Sequence, residues 1–180
     1  MKKIIVILLM SISSNLLFAQ KGKENSAISK KEKRKVEMEE QYRLTKQMLE
    51  NKYFVLEADF LQDKYGHRVF VSPNINFVAV DSSEAVIQIG SNYRIGPNGV
   101  GGVTAKGRIT KWELTENEKR KTFNLTFNVM TSIGIYDLHL SVGPSGKATA
   151  LLTGLRPGQL TFDGDLVPLE ESSVYEGQSI

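Results

Sequence analysis

The sequence contains no cysteine, and His67 and His139 are its only histidines. Without cysteine the chain has no thiolate nucleophile, no thiolate metal ligand and no disulfide. Metal sites use clustered ligands, and the two histidines lack such spacing, so we expect both on the surface. Stability must then come from buried apolar side chains, and 180 residues suffice for one domain with a sizeable core.

The sequence also lacks a strong charge of either sign. Its 23 basic and 20 acidic residues give a formal net charge of +3. Broad binding to nucleic acid requires a markedly basic surface. The composition therefore predicts a protein without a nucleic-acid partner.

An unbroken aliphatic run occurs at the N-terminus, where Lys2 and Lys3 precede residues 4–10. The small residue Ala19 follows, which completes the charged, apolar and small order of a secretion signal peptide. We therefore predict that residues 1–19 are a signal peptide and that the protein is exported.

A membrane-anchored helix is the alternative to cleavage, but it needs about 20 predominantly apolar residues. Polar side chains interrupt this run early, at Ser11 and at residues 13–15. We expect a mature chain that starts at Gln20, is periplasmic or secreted, and has no transmembrane span. Loss of the two leader lysines takes the formal charge from +3 to +1.

Residues 20–52 form a charged segment with no glycine or proline between Lys23 and Asn51. Strong helix formers dominate it, and Ser29 with Glu32 forms a capping box. The pattern predicts a helix over about residues 30–51. One apolar face recurs every three or four residues, at Met38, Tyr42, Thr45 and Leu49. The lysine-rich start can attract an anionic surface, but we favour a solvated face.

From Tyr53 onward the hydrophobic period changes to two, which is typical of β-strands. On this basis residues 53–169 are predicted as one antiparallel β domain. The predicted strands cover residues 53–60, 69–71, 76–80, 85–89, 103–114, 122–129, 136–142, 147–153 and 159–167. In the first of them Phe54 and Phe60 are expected on the same inner face. Parallel neighbours need crossovers of a dozen or more residues, so the short later connections predict an up-and-down meander.

The strand after Val103 changes the parity of its apolar side chains before Trp112. A bulge near Thr110-Lys111 returns Trp112 to the inner side and bends the strand. The predicted fold is mainly β (α+β), an antiparallel meander of about nine strands that forms a strongly curved sheet or barrel after one amphipathic helix. The polar residues 170–180 are predicted as a flexible tail.

Small residues recur on the predicted inner face of three strands, at Ala105, Gly107, Ala148, Ala150 and Gly164. We interpret them as a seat for the apolar helix face, which would fold over the sheet or plug a barrel mouth. A ligand cavity, with the helix elsewhere, is the rival interpretation.

Several short motifs together suggest a family. They are Asn76-Phe77, Asp81 to Ala85, the glycine-rich Gly99 to Gly107, Gly146-Lys147-Ala148, and Arg156 before Phe162-Asp163-Gly164. The chain resembles the secreted proteins of the domain of unknown function 4251 family over about residues 35–168. It departs from that pattern at Gln88-Ile89-Gly90 and at Arg156-Pro157. The resemblance implies export and a β-rich fold, and it adds no chemistry.

The glycine-rich segment 90–102 is the most unusual stretch for function. It lacks both GxGxxG and Gly-Lys-Ser/Thr and precedes a strand, so no nucleotide cofactor is predicted. Loops of this length are uncommon unless functional or mobile. We therefore predict a weak binding rim from four residues, Tyr93, Arg94, Asn98 and Arg156.

No arrangement in the sequence indicates catalysis. Asp163 and Asp165 lie two residues apart, but paired catalytic carboxylates need a cleft and one raised pKa. No catalytic residue, metal site or cofactor is predicted. The predicted function is an exported non-catalytic module that binds an envelope partner, a secreted partner or a small ligand. The alternative is a small-molecule carrier with a ligand cavity inside the barrel, of a few hundred Å³.

Overall fold

The computed structural model describes residues 29–91, 98–155 and 158–179. Within these ranges a helix over residues 29–51 (α1) precedes nine β-strands. The strands are β1 (Tyr53–Asp63), β2 (Arg68–Phe70), β3 (Phe77–Asp81), β4 (Glu84–Ile89), β5 (Val103–Asn117), β6 (Thr122–Thr131), β7 (Gly134–Val142), β8 (Lys147–Leu155) and β9 (Gly158–Val167). Short 3-10 turns occupy Pro73–Ile75 and Leu169–Glu171.

The chain divides into two compact units, Met1–Glu40 and Gln41–Ile180. Of the first unit, the described part is the beginning of α1, residues 29–40, and all its side chains are exposed. The second unit contains the rest of α1 and all the described strands. Among the described residues no helix combines the length and apolar character needed to cross a membrane.

The strands form a closed barrel. Neighbours follow the order β2-β1-β3-β4-β5-β6-β7-β8-β9, and β1 also pairs with β9. All pairings are antiparallel, and β2 is an additional strand on the β1 edge. The predicted antiparallel meander is therefore confirmed, and pairing of its first and last long strands closes the curved sheet.

The predicted bulge in β5 is confirmed. The register between β5 and β6 shifts between Ile109 and Lys111. As a result Trp112 packs inward, and its ring centroid lies 5.3 Å from that of Phe127. One extra residue restores the apolar side chains to the core.

A second bulge, in β1, makes the predicted inner face wrong at Phe60. The β1–β9 register shifts between Ala58 and Phe60, so Asp59 is the extra residue. Beyond it the parity reverses, and Leu61 is buried, with 6% of its surface exposed. Phe60 instead packs outside, edge-on to Phe70, with centroids 5.4 Å apart.

The barrel interior is filled with side chains. Phe54, which was predicted on the inner face, is fully buried, and Phe123 and Phe127 are each 1% exposed. The space at the centre is too small for a water molecule, and its walls are Phe54, Leu56, Val78, Phe127, Leu138, Leu140 and Ala150. This part of the interior therefore holds no ligand cavity.

The later part of α1 packs into the core. Thr45 and Leu49 are buried, and the ring of Tyr42 stacks on Phe123 with centroids 5.3 Å apart. Met48, which the predicted face left out, is also buried at 4% exposure. Met38 does not belong to the buried face, since 39% of its surface is exposed. The predicted helix face is thus packed against the core at Tyr42, Thr45 and Leu49.

The glycines of the predicted seat have another role. A Cβ at Gly164 would lie 1.8 Å from the Glu57 carbonyl oxygen, and one at Gly107 would lie 2.2 Å from that of Met130. Both glycines lie in paired strands close to a bulge, where the backbone of the neighbouring strand approaches the glycine Cα. Gly107 and Gly164 therefore accommodate adjacent strands rather than the helix.

The prediction of a flexible C-terminal tail does not describe residues 170–179. The segment lies against the outside of the barrel, where Leu169 and Val174 cover an apolar patch. The patch consists of the buried residues Val55, Phe77, Ala79 and Val86. Because of this cover, β3 and β4 are buried on both faces, which suits their almost wholly apolar sequences.

Candidate binding groove

The two mouths of the barrel differ. We call the end reached by the β3–β4, β5–β6 and β7–β8 connections the helix mouth, because Tyr42 of α1 packs there on Phe123, near the start of β6. The opposite end, reached by the β1–β2, β4–β5, β6–β7 and β8–β9 connections, is the loop mouth. The glycine-rich segment leaves the barrel at the loop mouth.

A groove of about 570 Å³ opens at the loop mouth. It runs between β2 and the end of β4, and its lining residues are Leu61, Val69, Phe70, Val71, Ser72, Ile75, Asn76, Ile89, Gly90 and Ser91. None of these described lining residues carries a charged side chain. Its volume falls within the range of about 300–1,000 Å³ that is typical of ligand sites.

The β2 wall of the groove exposes large apolar side chains to solvent. Val69 is 57% exposed and Phe70 is 74% exposed, whereas Leu61 at the base is buried. Large apolar side chains on an open groove mark binding surfaces more often than they mark ordinary surface.

A buried asparagine holds the other walls together. Asn76 is 1% exposed; its Oδ1 accepts from the Gly90 N–H at 2.9 Å, and its Nδ2 donates to the Ser72 carbonyl at 3.0 Å. A Cβ at Gly90 would lie 2.8 Å from the Ile75 carbonyl oxygen, so this close approach requires glycine. These contacts fix the groove wall before any ligand arrives.

Asn98 belongs to a buried polar cluster instead of a binding rim. Its Oδ1 accepts from the Val100 and Gly102 N–H groups, and its Nδ2 donates to Thr104 Oγ1 at 3.1 Å. With 1% of its surface exposed, it is a structural cap for the glycine-rich segment. The other predicted rim residues, Tyr93, Arg94 and Arg156, lie outside the described residues.

Asp163 and Asp165, which lie two residues apart in the sequence, form ion pairs on the barrel wall. Asp163 accepts from Thr149 Oγ1 at 2.7 Å and lies 3.3 Å from Arg68 Nη2. Asp165 accepts from Lys147 Nζ at 2.7 Å, and this hydrogen bond raises the pKa of Lys147. Both carboxylates therefore take part in ion pairs on the barrel wall.

The histidines lie on the surface as predicted. His67 Nδ1 lies 2.9 Å from Asp63 Oδ2, and His139 Nδ1 lies 3.1 Å from Thr126 Oγ1. Across the described ranges no three side chains of histidine, aspartate or glutamate come together as a metal site.

A carboxylate at the helix mouth binds α1. Tyr42 Oη and Lys46 Nζ both donate to the Glu116 carboxylate, the latter at 2.8 Å. The hydrogen bonds from Lys46 and Tyr42 lower the pKa of Glu116. The same contact with Glu116 raises the pKa of Tyr42 to about 12. This clamp fastens the later part of α1 at the helix mouth.

Sequence reasoning missed the groove because its walls come from separate elements. The short run Arg68 to Val71 carries apolar residues on both strand faces, a pattern that indicates burial and therefore hid the exposed groove wall. No local sequence pattern indicates that Ile75 and Gly90 line the groove, because their contact depends on how far β4 extends.

The fold defines a small antiparallel β-barrel domain with an N-terminal helix and, at one mouth, a groove whose described lining residues are uncharged. The family model "Domain of unknown function (DUF4251)" matches residues 36–166, so the chain belongs to this family and the resemblance of the motifs is confirmed. A DUF4251 family protein from Bacteroides eggerthii DSM 20697, whose crystal structure is known, is 29% identical. That match covers 73% of this chain and 90% of that chain, with a TM-score of 0.62. No curated protein matches the chain.

Proposed function

We propose that this protein is an exported, non-catalytic binding module of the cell envelope, and that the groove at the loop mouth is its binding site. The observation that carries the proposal is a groove of about 570 Å³ whose described lining residues carry no charged side chain. Its exposed Val69 and Phe70 favour a neutral, apolar ligand or partner. The signal-like order of residues 1–19 supports export.

The chemistry of the lining supports a role without catalysis. Acid–base and nucleophilic catalysis use titratable side chains held in a cleft. The described lining residues include no such group, and Asp163 and Asp165 are paired on the barrel wall. The groove is therefore suited to recognition.

A small-molecule carrier is the second candidate function. The filled interior around Phe54 and Phe127 disfavours a ligand inside the barrel. The volume of the groove still suits a small apolar molecule. A carrier would thus hold its cargo at the loop mouth, between β2 and β4.

Titration with the neutral dye Nile red tests the groove. Val69→Asp places a carboxylate on its wall and should weaken dye binding by about tenfold or more. Ile135→Asp is the matched control, because Ile135 is 55% exposed on β7 and outside the groove lining. Equal dye affinity for the two variants contradicts the proposed site.

Export is tested separately, in cells that express residues 1–180. Fractionation and N-terminal sequencing should recover a chain that starts at Gln20 outside the cytoplasm. A chain that keeps Met1 and stays in the cytoplasm or the inner membrane contradicts export.

A further inference from the structure

We infer that the groove accepts an extended polypeptide strand, which adds to the edge of β2 that no described strand covers. The inference rests on the proposed function, because it names the class of ligand for the same groove. The ligand class is a neutral peptide segment with alternating apolar side chains. Its backbone would pair with Arg68 and Phe70.

The hydrogen bonds between β1 and β2 show which backbone groups are free. The Asp63 N–H donates to the His67 carbonyl at 3.0 Å, and the Val71 N–H donates to the Asp59 carbonyl at 2.9 Å. Bonded residues alternate along an antiparallel pair. Residues 67, 69 and 71 therefore face β1, and Arg68 and Phe70 direct their N–H and C=O groups away from it.

That outer edge has no strand beside it in the described part of the chain. β2 begins the strand order, with β1 as its neighbour. Two backbone donors and two backbone acceptors, from Arg68 and Phe70, thus lie at an open edge. Such an edge is a template for another strand, and peptide recognition by strand addition uses this feature.

The groove lies where the next strand of the sheet would run. β4 pairs with β3 up to the Phe77–Gln88 pair, and its last residue is Ile89. It therefore stops before it reaches the level of β2. Val69 and Phe70 form one side of the remaining space, while Ile89 and Gly90 form the other. A strand in this space would continue the β1–β2 ladder.

The side chains of β2 suit a neutral added strand whose side chains point alternately to the two faces of the sheet. Val69 is opposite Leu61, which points inward, whereas Phe70 is opposite Phe60, which packs outside. Neighbouring residues of an added strand would meet these two apolar surfaces in turn.

The guanidinium of Arg68 contacts Phe60 and Asp163 and is not part of the groove lining. It lies 4.0 Å from the Phe60 ring centroid and 3.3 Å from Asp163. The described groove lining therefore stays neutral. A small apolar molecule could fill such walls, but it could not satisfy a row of backbone donors and acceptors.

The probe is a phage-displayed heptapeptide library with valine, leucine, isoleucine or phenylalanine at three alternate positions. It is selected on the protein produced from residues 1–180. The selected peptide is then synthesised in three forms, one unmodified and two N-methylated on alternate residues, one in each of the two possible registers. The N-methylated forms keep every side chain but lose the amide donors on alternate residues.

Hydrogen exchange and affinity provide the readouts. The unmodified peptide should slow amide exchange at Arg68 and Phe70 and should displace Nile red. N-methylation in one of the two possible registers should weaken binding by about tenfold or more, since two hydrogen bonds are lost.

Two variants at one position separate the backbone from the side chain. Phe70→Ala removes the ring, and Phe70→Pro also removes the outward N–H, which donates to no group in the described structure. The proline variant should bind the selected peptide about tenfold more weakly than the alanine variant. Circular dichroism checks that both fold, and the N-methylated peptides test the inference independently if the proline variant does not.

The outcomes distinguish strand addition to β2 from the broader proposal that the groove binds apolar groups. If no peptide is enriched, or if all N-methylated forms bind as well as the parent, strand addition is overturned. Nile red binding that depends on Val69 would then still support an apolar groove. Loss of both peptide and dye binding overturns the proposed function as well.

Discussion

The Gly177 N–H donates a hydrogen bond of 2.8 Å to the side-chain Oε1 of Gln88, which is fully buried. The same oxygen accepts from Thr104 Oγ1, and Gln88 Nε2 donates to the Tyr175 carbonyl at 2.8 Å. One glutamine on the outer face of β4 therefore binds the C-terminal segment through its backbone. A Cβ at Gly177 would lie 2.4 Å from the Asn98 carbonyl oxygen, so the close fit also requires glycine.

Gln88→Leu should destabilise the protein strongly. The change leaves the Gly177 N–H and the Thr104 hydroxyl without this acceptor, and each buried unsatisfied group costs about 1–3 kcal/mol. Urea unfolding measures the loss. Gln159→Leu, at an exposed position of β9, is the control and should stay within about ±0.5 kcal/mol. Similar urea midpoints for both variants would show that the tail contributes nothing.

Thr45→Val should raise stability. Thr45 is 1% exposed, and its Oγ1 has no hydrogen-bond partner in the described structure. Replacing an unsatisfied hydroxyl with a methyl group of similar size removes a desolvation cost of about 1–3 kcal/mol. Thermal or urea unfolding would detect the change. A lower midpoint for valine than for threonine would contradict the buried position of the helix.

Phe127→Ala should be among the most destabilising single changes. Phe127 is 1% exposed at the centre of the barrel, and truncating a buried phenylalanine costs about 3–5 kcal/mol. Asn128, the next residue, is half-buried and donates to Asp137 across the β6–β7 pair. Asn128→Ala should therefore cost only about 0.5–1.5 kcal/mol. Equal shifts in urea midpoint would mean that the faces of β6 are misassigned.

The Glu116 clamp should make stability depend on pH. Because its folded pKa lies below the ordinary value of 4.5, the ionised carboxylate stabilises the folded state above pH 4.5. This contribution is lost as the pH falls from 4.5 through the lower folded pKa. Glu116→Gln should flatten the fall in urea midpoint over that window, relative to the parent. Glu113→Gln, on the same strand but 63% side-chain exposed, should keep the parent's profile. Identical profiles for parent and Glu116→Gln would contradict the clamp.

The meander and one of its bulges follow from local sequence. Alternation from Phe123 to Val129 and short turn-rich connections leave an antiparallel arrangement as the simple solution. Trp112 reveals the β5 bulge because its parity conflicts with that of Val103. The β1 bulge gives no such signal, since Phe60 and Leu61 are both apolar and either could face the core.

The tail and the groove depend on tertiary contacts. Residues 170–179 are polar, so their composition indicates disorder, whereas their placement comes from Gln88 at a distant position. The groove exists because β4 ends at Ile89 while β2 continues the β1 edge. Such relationships combine separate elements, and no local pattern of residues encodes them.

We expect the loop mouth to bind neutral apolar groups. Titration of the ¹⁵N-labelled protein with hexanol, followed by amide chemical shifts, locates the binding site residue by residue. Saturable shifts should appear at Val69, Phe70 and Val71 and at Ile89 and Gly90, with little change in α1 over residues 41–51. Shifts that concentrate at the helix mouth, or that spread evenly over the barrel without saturation, would overturn the proposed binding site.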